Sequence, residues 1–255
     1  MKILFIGDSL VKGAVGVNWV KWLASKNPAW EVENAGKNGE TLKQITIRLQ
    51  QKLAQGKYDM VFFEAGINDL LLPTLKAKNY LFRQSEKYTS KDAQLCDNAE
   101  TFELTYREAV QTIKNTTNAT IILSTLGCLN ENLEHSLNKK RCAYNDVIRD
   151  VAIETGCGLV DAGALFDGYL RRCRTRDYLL EGFWNTWCLD KFQCSVLGCP
   201  DYLSKRRGLH LTIDGVHLNS RGANIFRDET ERQIKSVMSG FTSEHRSKLN
   251  GIEIF

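Results

Sequence analysis

Three side chains that together could carry out acyl transfer stand near the two ends of the sequence. Ser9 is the third residue of a Gly-Asp-Ser-Leu sequence directly after the apolar run 2–6, and Asp214 and His217 stand three residues apart before a candidate helix. A serine hydroxyl is a weak nucleophile at neutral pH, so an imidazole must take its proton and a carboxylate must orient that imidazole. We therefore predict Ser9 as the nucleophile, His217 as the general base and acid, and Asp214 as the orienting carboxylate.

Each of these motifs, taken alone, also has a purely structural interpretation. Gly, Asp and Ser commonly follow a strand because their backbones and side chains suit turns. An Asp placed three residues before a His at the start of a helix is a common cap. Neither motif identifies an active site without support from elsewhere in the chain.

Two further polar turns supply that support. Gly39 lies in the turn 34–41 after a second apolar run, and Asn68 follows a third, Met60-Val61-Phe62-Phe63. The carboxyl ends of parallel strands meet at one rim of a sheet, so these turns should converge with Ser9. Acyl transfer needs donors aimed at the developing oxyanion, and a glycine N–H and an asparagine amide are suitable donors. Gly39 and Asn68 are the candidates.

The candidate residues lie in four short segments: the Ser9 motif, the turn with Gly39, the turn with Asn68, and the motif with Asp214 and His217. In this order, they resemble the four conserved sequence blocks of the SGNH (GDSL-type) esterase and lipase family. The Ser, Gly, Asn and His of that family are matched by Ser9, Gly39, Asn68 and His217, with Asp214 before the histidine. The resemblance implies an oxyanion hole formed by the N–H groups of Ser9 and Gly39 and the amide of Asn68. Gly36 is the alternative to Gly39 as the glycine of the oxyanion hole. The family pattern is a glycine followed by an acidic residue and a threonine, and Gly39-Glu40-Thr41 matches it, which favours Gly39.

The leading interpretation is a serine hydrolase that cleaves carboxylic esters through an acyl-enzyme, with no metal or organic cofactor. The resemblance equally allows an O-acetyltransferase or a deacetylase acting on a carbohydrate. A non-catalytic ligand-binding module is a lesser alternative, because its polar turns could hold a phosphate or a sugar. A fluorophosphonate would label Ser9 in either enzyme and would not label it in a non-catalytic binding module, so labelling distinguishes the two classes.

Apolar runs alternate with helical patterns along most of the chain. Residues at helical spacing between the runs predict helices on both faces of a mostly parallel, five-stranded, doubly wound sheet, the three-layer flavodoxin-like arrangement of the SGNH hydrolases. The last helix is predicted to start near Ser220, a plausible N-cap. The five runs typical of buried parallel strands are 2–6, 30–34, 58–64, 119–124 and 158–161.

We interpret residues 1–255 as a single SGNH hydrolase domain with insertions at about 70–97 and 167–209. The first insertion begins Leu-Leu-Leu-Pro and would either line the acyl side of the site or form a loop that packs on the core. The second is rich in aromatic and basic residues and is a possible lid. A subdomain that buries its own aromatics is the alternative. The basic runs of the second insertion, 171–174 and 205–207, could bind an anionic substrate group, although a solvated surface is the favoured interpretation of these residues.

Composition restricts the partners. A net charge of +4 does not require nucleic acid, and no apolar stretch reaches the roughly 20 residues that span a bilayer. The expected partner is a small-molecule or glycan ester. Ser9 stands too close to residue 1 for a cleavable export signal, so we expect a cytoplasmic protein. On that basis the eight cysteines are expected to be free thiols rather than disulfides or metal ligands.

Overall fold

The computed structural model describes residues 1–78, 95–180, 194 and 199–250. The strands in these residues are β1 (Lys2–Gly7), β2 (Glu31–Gly36), β3 (Met60–Phe63), β4 (Thr120–Ser124) and β5 (Gly158–Val160). The helices in the same residues are α1 (Ser9–Lys12), α2 (Trp19–Lys26), α3 (Leu42–Gln55), α4 (Ile67–Lys78), α5 (Ala99–Thr116), α6 (Ser136–Thr155), α7 (Ala162–Leu170), α8 (Pro200–Arg207) and α9 (Ser220–Asn250).

The strands form one sheet in the order β2-β1-β3-β4-β5, and every neighbouring pair is parallel. This confirms the predicted doubly wound α/β class. The chain runs from β1 to β2 on one side and then returns to β3 on the other side of β1. The crevice outside the carboxyl ends of β1 and β3 is therefore the topological switch point, where ligands bind in such sheets.

Both faces of the sheet are covered by helices, as the continuous apolar runs predict. On β3, Phe62 contacts Trp19 of α2 with ring centroids 5.5 Å apart, while its neighbour Phe63 contacts Tyr106 of α5 at 5.3 Å. Successive side chains of a strand point to opposite faces, so these contacts lie on opposite sides of the sheet. Phe226 of α9 packs against Trp19, with ring centroids 5.4 Å apart, and extends the first layer.

The predicted strand ends differ slightly from those observed. β2 was expected over 30–34, but it continues to Gly36 because Gly36 pairs in register with Gly7, the last residue of β1. Pairing with a neighbouring strand decides where a strand ends, and that partner is invisible to a local pattern.

The structure corrects the prediction for the first insertion. Its first residues are not a loop, because α4 begins at Ile67 and continues to Lys78. Leu70 and Leu71 are buried in the hydrophobic core. These two leucines therefore pack on the core, the alternative to lining the acyl side.

Part of the second insertion lies outside the described residues, including Phe183, Trp184, Trp187 and Phe192. The described part contains the end of α7 and all of α8, on which Tyr202 is 64% exposed. The lid and the single-domain interpretation stay predictions.

The last helix begins where expected but is capped differently. The Asn219 side chain accepts hydrogen bonds from the N–H groups of Arg221 and Gly222, both at 3.0 Å, so Asn219 rather than Ser220 supplies the cap. Among the described residues, no helix is long and apolar enough to cross a membrane. Five of the cysteines in this part of the chain, Cys96, Cys128, Cys142, Cys157 and Cys173, are free thiols.

Candidate active site

Ser9 lies at the carboxyl end of β1, as the first residue of α1. Asp8 caps this short helix, since its Oδ1 accepts a hydrogen bond from the Leu10 N–H at 2.9 Å. The turn is tightly packed: a Cβ on Gly7 would lie 2.8 Å from the backbone oxygen of Glu64, so only glycine fits there. The turn thus places the Ser9 hydroxyl at the switch point of the sheet.

The structure brings Ser9, His217 and Asp214 together. His217 Nε2 lies 3.1 Å from Ser9 Oγ, and His217 Nδ1 lies 2.7 Å from Asp214 Oδ2. The first contact joins residues 208 positions apart in the sequence. All three residues are buried, with 8% of Ser9 and of His217 exposed and 1% of Asp214. The hydroxyl, the imidazole and the carboxylate form one continuous hydrogen-bonded chain.

The environment of Asp214 favours its ionised form. Burial by itself would raise the pKa of Asp214, but the charge of a protonated His217 and the hydrogen bonds to Asp214 outweigh it and lower that pKa below its ordinary value. Besides the imidazole, the carboxylate accepts the backbone N–H groups of Val216 at 3.0 Å and His217 at 2.8 Å. A fixed negative charge therefore faces Nδ1 of the imidazole and stabilises its protonated form.

Glu131, which the sequence analysis did not single out, supports the segment that leads to Asp214. Its buried carboxylate accepts the backbone N–H groups of His210 at 2.6 Å, Leu211 at 2.8 Å and Thr212 at 2.7 Å, and also the Thr212 hydroxyl at 2.7 Å. Hydrogen bonds to a charged acceptor are about twice as strong as neutral ones. One carboxylate thus fixes the backbone just before the candidate orienting residue.

The polar turns after β2 and β3 also meet. The Asn68 amide nitrogen donates to the Glu40 carbonyl at 2.9 Å and to Asp8 Oδ2 at 3.2 Å. Gly39, next to Glu40, has a φ of +77°, a left-handed conformation that suits glycine. Asn68 is therefore bonded both to the Gly39 turn and to the residue before Ser9.

Gly36 differs from Gly39 in its surroundings. Its N–H donates to Asn34 Oδ1 at 2.9 Å. A Cβ at Gly36 would lie only 2.2 Å from the backbone nitrogen of Lys12, so the close approach of α1 requires a glycine there. A packing requirement accounts for Gly36.

Arg48 is a second residue that sequence reasoning missed. From α3 its guanidinium donates to the Gly7 carbonyl at 2.9 Å and to Glu40 Oε2 at 2.7 Å, and it also contacts the Ala35 carbonyl. It therefore ties the ends of β1 and β2 to the turn that holds Gly39. The only sequence signal is an arginine on an otherwise amphipathic helix, which is typical of solvated surface.

A parallel sheet with a Ser-His-Asp chain at its switch point defines an α/β hydrolytic enzyme. The chain belongs to the GDSL-like lipase/acylhydrolase family, whose model matches residues 5–225. An acetylxylan esterase from Geobacillus stearothermophilus is 26% identical over 192 residues, covering 67% of this chain and 80% of that protein. The protein is a carboxylic ester hydrolase, which confirms the predicted enzyme class.

Solved structures share the fold. An α/β hydrolase from the metagenome of Lake Arreo, Spain, superimposes with a TM-score of 0.58 at 23% identity, covering 90% of this chain and 92% of its own. The acetylxylan esterase of G. stearothermophilus gives a TM-score of 0.59 at 23% identity, covering 91% and 93%. Catalytic mutants of that esterase, altered at a serine, an aspartate and a histidine, are similar too.

Proposed function

We propose that Ser9, His217 and Asp214 hydrolyse carboxylic esters through an acyl-enzyme. The observation that carries the proposal is the unbroken chain from Asp214 Oδ2 through both nitrogens of His217 to Ser9 Oγ. Ser9 Oγ attacks the ester carbonyl while His217 Nε2 accepts its proton, and His217 then returns the proton to the departing alcohol. Water attacks the acyl-enzyme in the second half of the reaction, with the same imidazole as base.

We assign the oxyanion hole to the N–H groups of Ser9 and Gly39 and the amide of Asn68. The engaged N–H of Gly36 supports the choice of Gly39. Asn68 directs its two amide hydrogens at the Glu40 carbonyl and at Asp8. When negative charge develops on the substrate oxygen, the hydrogen that faces the Glu40 carbonyl would be shared with that oxygen, while the hydrogen bonded to Asp8 holds the side chain in place.

Asn68→Ala should lower kcat by about 10²- to 10³-fold, the usual cost of one oxyanion donor. Because Ser9 and His217 remain, the variant should still form a fluorophosphonate adduct. Rates with a p-nitrophenyl ester and intact-protein mass measure the two effects. Asn118→Ala, on the exposed loop before β4, is the matched control. A loss in Asn68→Ala no larger than in the control would exclude Asn68 from the oxyanion hole.

The proposed substrate is an acetyl ester carried by a carbohydrate. Support comes from the acetylxylan esterase, which matches 67% of this chain, rather than from the pocket itself. An O-acetyltransferase would use the same residues but pass the acyl group to a sugar hydroxyl. The predicted lid at 167–209 and the cytoplasmic location stay predictions.

Product analysis tests the substrate. With acetylated xylo-oligosaccharides and with acetyl, butyryl and octanoyl p-nitrophenyl esters, we expect acetate release and a preference for the shortest chain. Acetylated acceptor sugar in place of free acetate would identify a transferase. A preference for octanoyl over acetyl esters would reject the acetyl substrate. Absence of both turnover and fluorophosphonate adduct would favour the binding module.

One residue from each basic run of the second insertion lies at the same cavity. Arg174 and Lys205, with Arg176 and Arg221, line a cavity of about 1050 Å³ beside the start of α9. The other basic residues of the two runs are not among its lining residues. Recognition of an anionic substrate group by the runs 171–174 and 205–207 stays a prediction, and Arg176 and Arg221 are further candidates because they line the same cavity.

A further inference from the structure

Glu64 is a buried acidic residue that the mechanism above does not use. It follows β3 directly and has 0% of its surface exposed. Neither oxygen of its carboxyl group has a well-aligned hydrogen-bond donor among the described residues, and only the Asp8 N–H lies close to it. An ionised carboxylate without well-aligned donors is very unfavourable in such a position. A buried negative charge is therefore a poor description of the Glu64 carboxyl group.

The neighbour of the Glu64 carboxyl group is Asp8. The two side chains are in hydrogen-bonding contact at the adjacent ends of β1 and β3. Backbone pairing brings them there, because the Glu64 N–H donates to the Ile6 carbonyl at 3.1 Å. Glycine at position 7 leaves the space: a Cβ there would lie 2.8 Å from Glu64 Oε2. The close packing of this turn thus serves the contact between the two acids.

Two carboxylates in contact cannot both be ionised in a dry site, so the pair holds a proton. Asp8 accepts two well-formed hydrogen bonds, from the Leu10 N–H at 2.9 Å and the Asn68 amide at 3.2 Å, whereas the only donor close to Glu64 among the described residues is the poorly aligned Asp8 N–H. The charge therefore belongs on Asp8 and the proton on Glu64. Burial raises the pKa of Asp8 to about 6, and burial together with the Asp8 charge raises the pKa of Glu64 well above its ordinary value.

Other ionisable groups face this pair. His217 lowers the pKa of Asp8 when protonated, and Asp69, at the start of α4, raises it. Tyr106 of α5 is buried near Glu64, and none of the described residues hydrogen-bonds its hydroxyl. None of these groups supplies Glu64 with a positive charge, so its environment favours the neutral acid.

We propose that Glu64 is a positioning residue: as a neutral acid it donates its carboxyl proton to Asp8 and so fixes the carboxylate that holds the Asn68 amide beside Ser9. Three donors then surround Asp8, namely the Leu10 N–H, the Asn68 amide and the Glu64 acid. With Asp8 held, the Asn68 hydrogen bonded to it stays anchored, and the hydrogen that faces the Glu40 carbonyl is shared with the oxyanion. This inference rests on the proposed role of Asn68.

Paired substitutions of Glu64 test the donor. Gln keeps the shape and an N–H donor, so E64Q should retain kcat within about threefold, whereas E64L fills a similar volume without a donor and should lose at least about tenfold. KM and the melting temperature of E64L should change little, because the packing is preserved. Equal rates in the two variants, whether both normal or both reduced, would overturn the proposal.

An infrared measurement locates the proton without relying on activity. At pH 8 the wild-type protein should show the C=O stretching band of a buried protonated carboxylic acid, and E64Q should lack it. Asp69, whose pKa burial raises to about 6, is ionised at that pH and does not contribute. E100Q, on the exposed surface of α5, is the matched control and should keep the band.

The infrared band tests the position of the proton and does not depend on whether Ser9 is catalytic, so the failure of this inference can be told from the failure of the proposed function. A missing band in the wild-type protein, or one that persists in E64Q, would overturn the shared proton even if Ser9 is reactive, and even if E64L fails to fold. An unreactive Ser9 would instead remove the proposed mechanism, and the infrared result would still decide whether the two acids share a proton.

Discussion

Replacing Ser9 with alanine is expected to abolish the fluorophosphonate adduct and to lower kcat for acetyl esters by about a millionfold. The variant loses the oxygen that forms the acyl-enzyme, while the fold and the oxyanion donors remain. Intact-protein mass and initial rates measure both effects.

Ser25→Ala, on the exposed surface of α2, is the matched control and should behave like the wild-type protein. An adduct of the same mass in Ser9→Ala would place the reactive group elsewhere in the chain. A variant that loses the adduct but keeps ester turnover would assign catalysis to a mechanism without a serine nucleophile.

Asp214→Asn is the second substitution with a very large expected effect, a fall in kcat of about 10⁴-fold. The amide would keep the size of the side chain but remove the charge that faces His217 Nδ1 at 2.7 Å. The imidazole would then be free to adopt the tautomer that cannot accept the Ser9 proton. Steady-state kinetics of this variant and of Asp150→Asn, an exposed control on α6, measure the difference.

The dependence of activity on pH is an independent test of the proposed roles of Asp214 and His217. The lowered pKa of Asp214 keeps it ionised across pH 5 to 8, so the expected rise in activity over this range comes from deprotonation of His217, together with any contribution of Asp8, whose pKa is about 6. A depressed carboxyl pKa also means that the stabilising contribution of Asp214 is present at neutral pH and is lost as the pH falls through the folded-state pKa. Activity that does not vary between pH 5 and 8 would contradict His217 as the base.

The fold could be predicted because it depends on strong local patterns. Apolar runs such as Met60-Val61-Phe62-Phe63 are buried on both faces, which only the centre of a parallel sheet provides. The helix from Ile67 was missed because Pro73 and the leucines before it suggest a loop. Pro73 is tolerated inside α4, whose leucines stabilise the helix by packing on the core.

The candidate site could be predicted only in part, for a physical reason. Ser9, Asn68 and His217 lie in short motifs whose composition reflects their chemistry. Glu131 bonds backbone groups 79 to 81 positions away, and its role follows from the tertiary structure alone. In the sequence, Glu64 looks like the polar residue that ends a strand. A local pattern does not reveal that its carboxyl group is buried without a well-aligned donor.

The distance of 208 positions between Ser9 and His217 has a consequence for synthesis of the protein. A ribosome makes the N-terminal part first, and domains begin to fold as they emerge. The whole sheet is present once β5 has been made, but the imidazole proposed as the base follows more than fifty residues later. A nascent chain can therefore complete its sheet while its serine still lacks the proposed base, and under the proposed mechanism hydrolysis can begin only after His217 has been made.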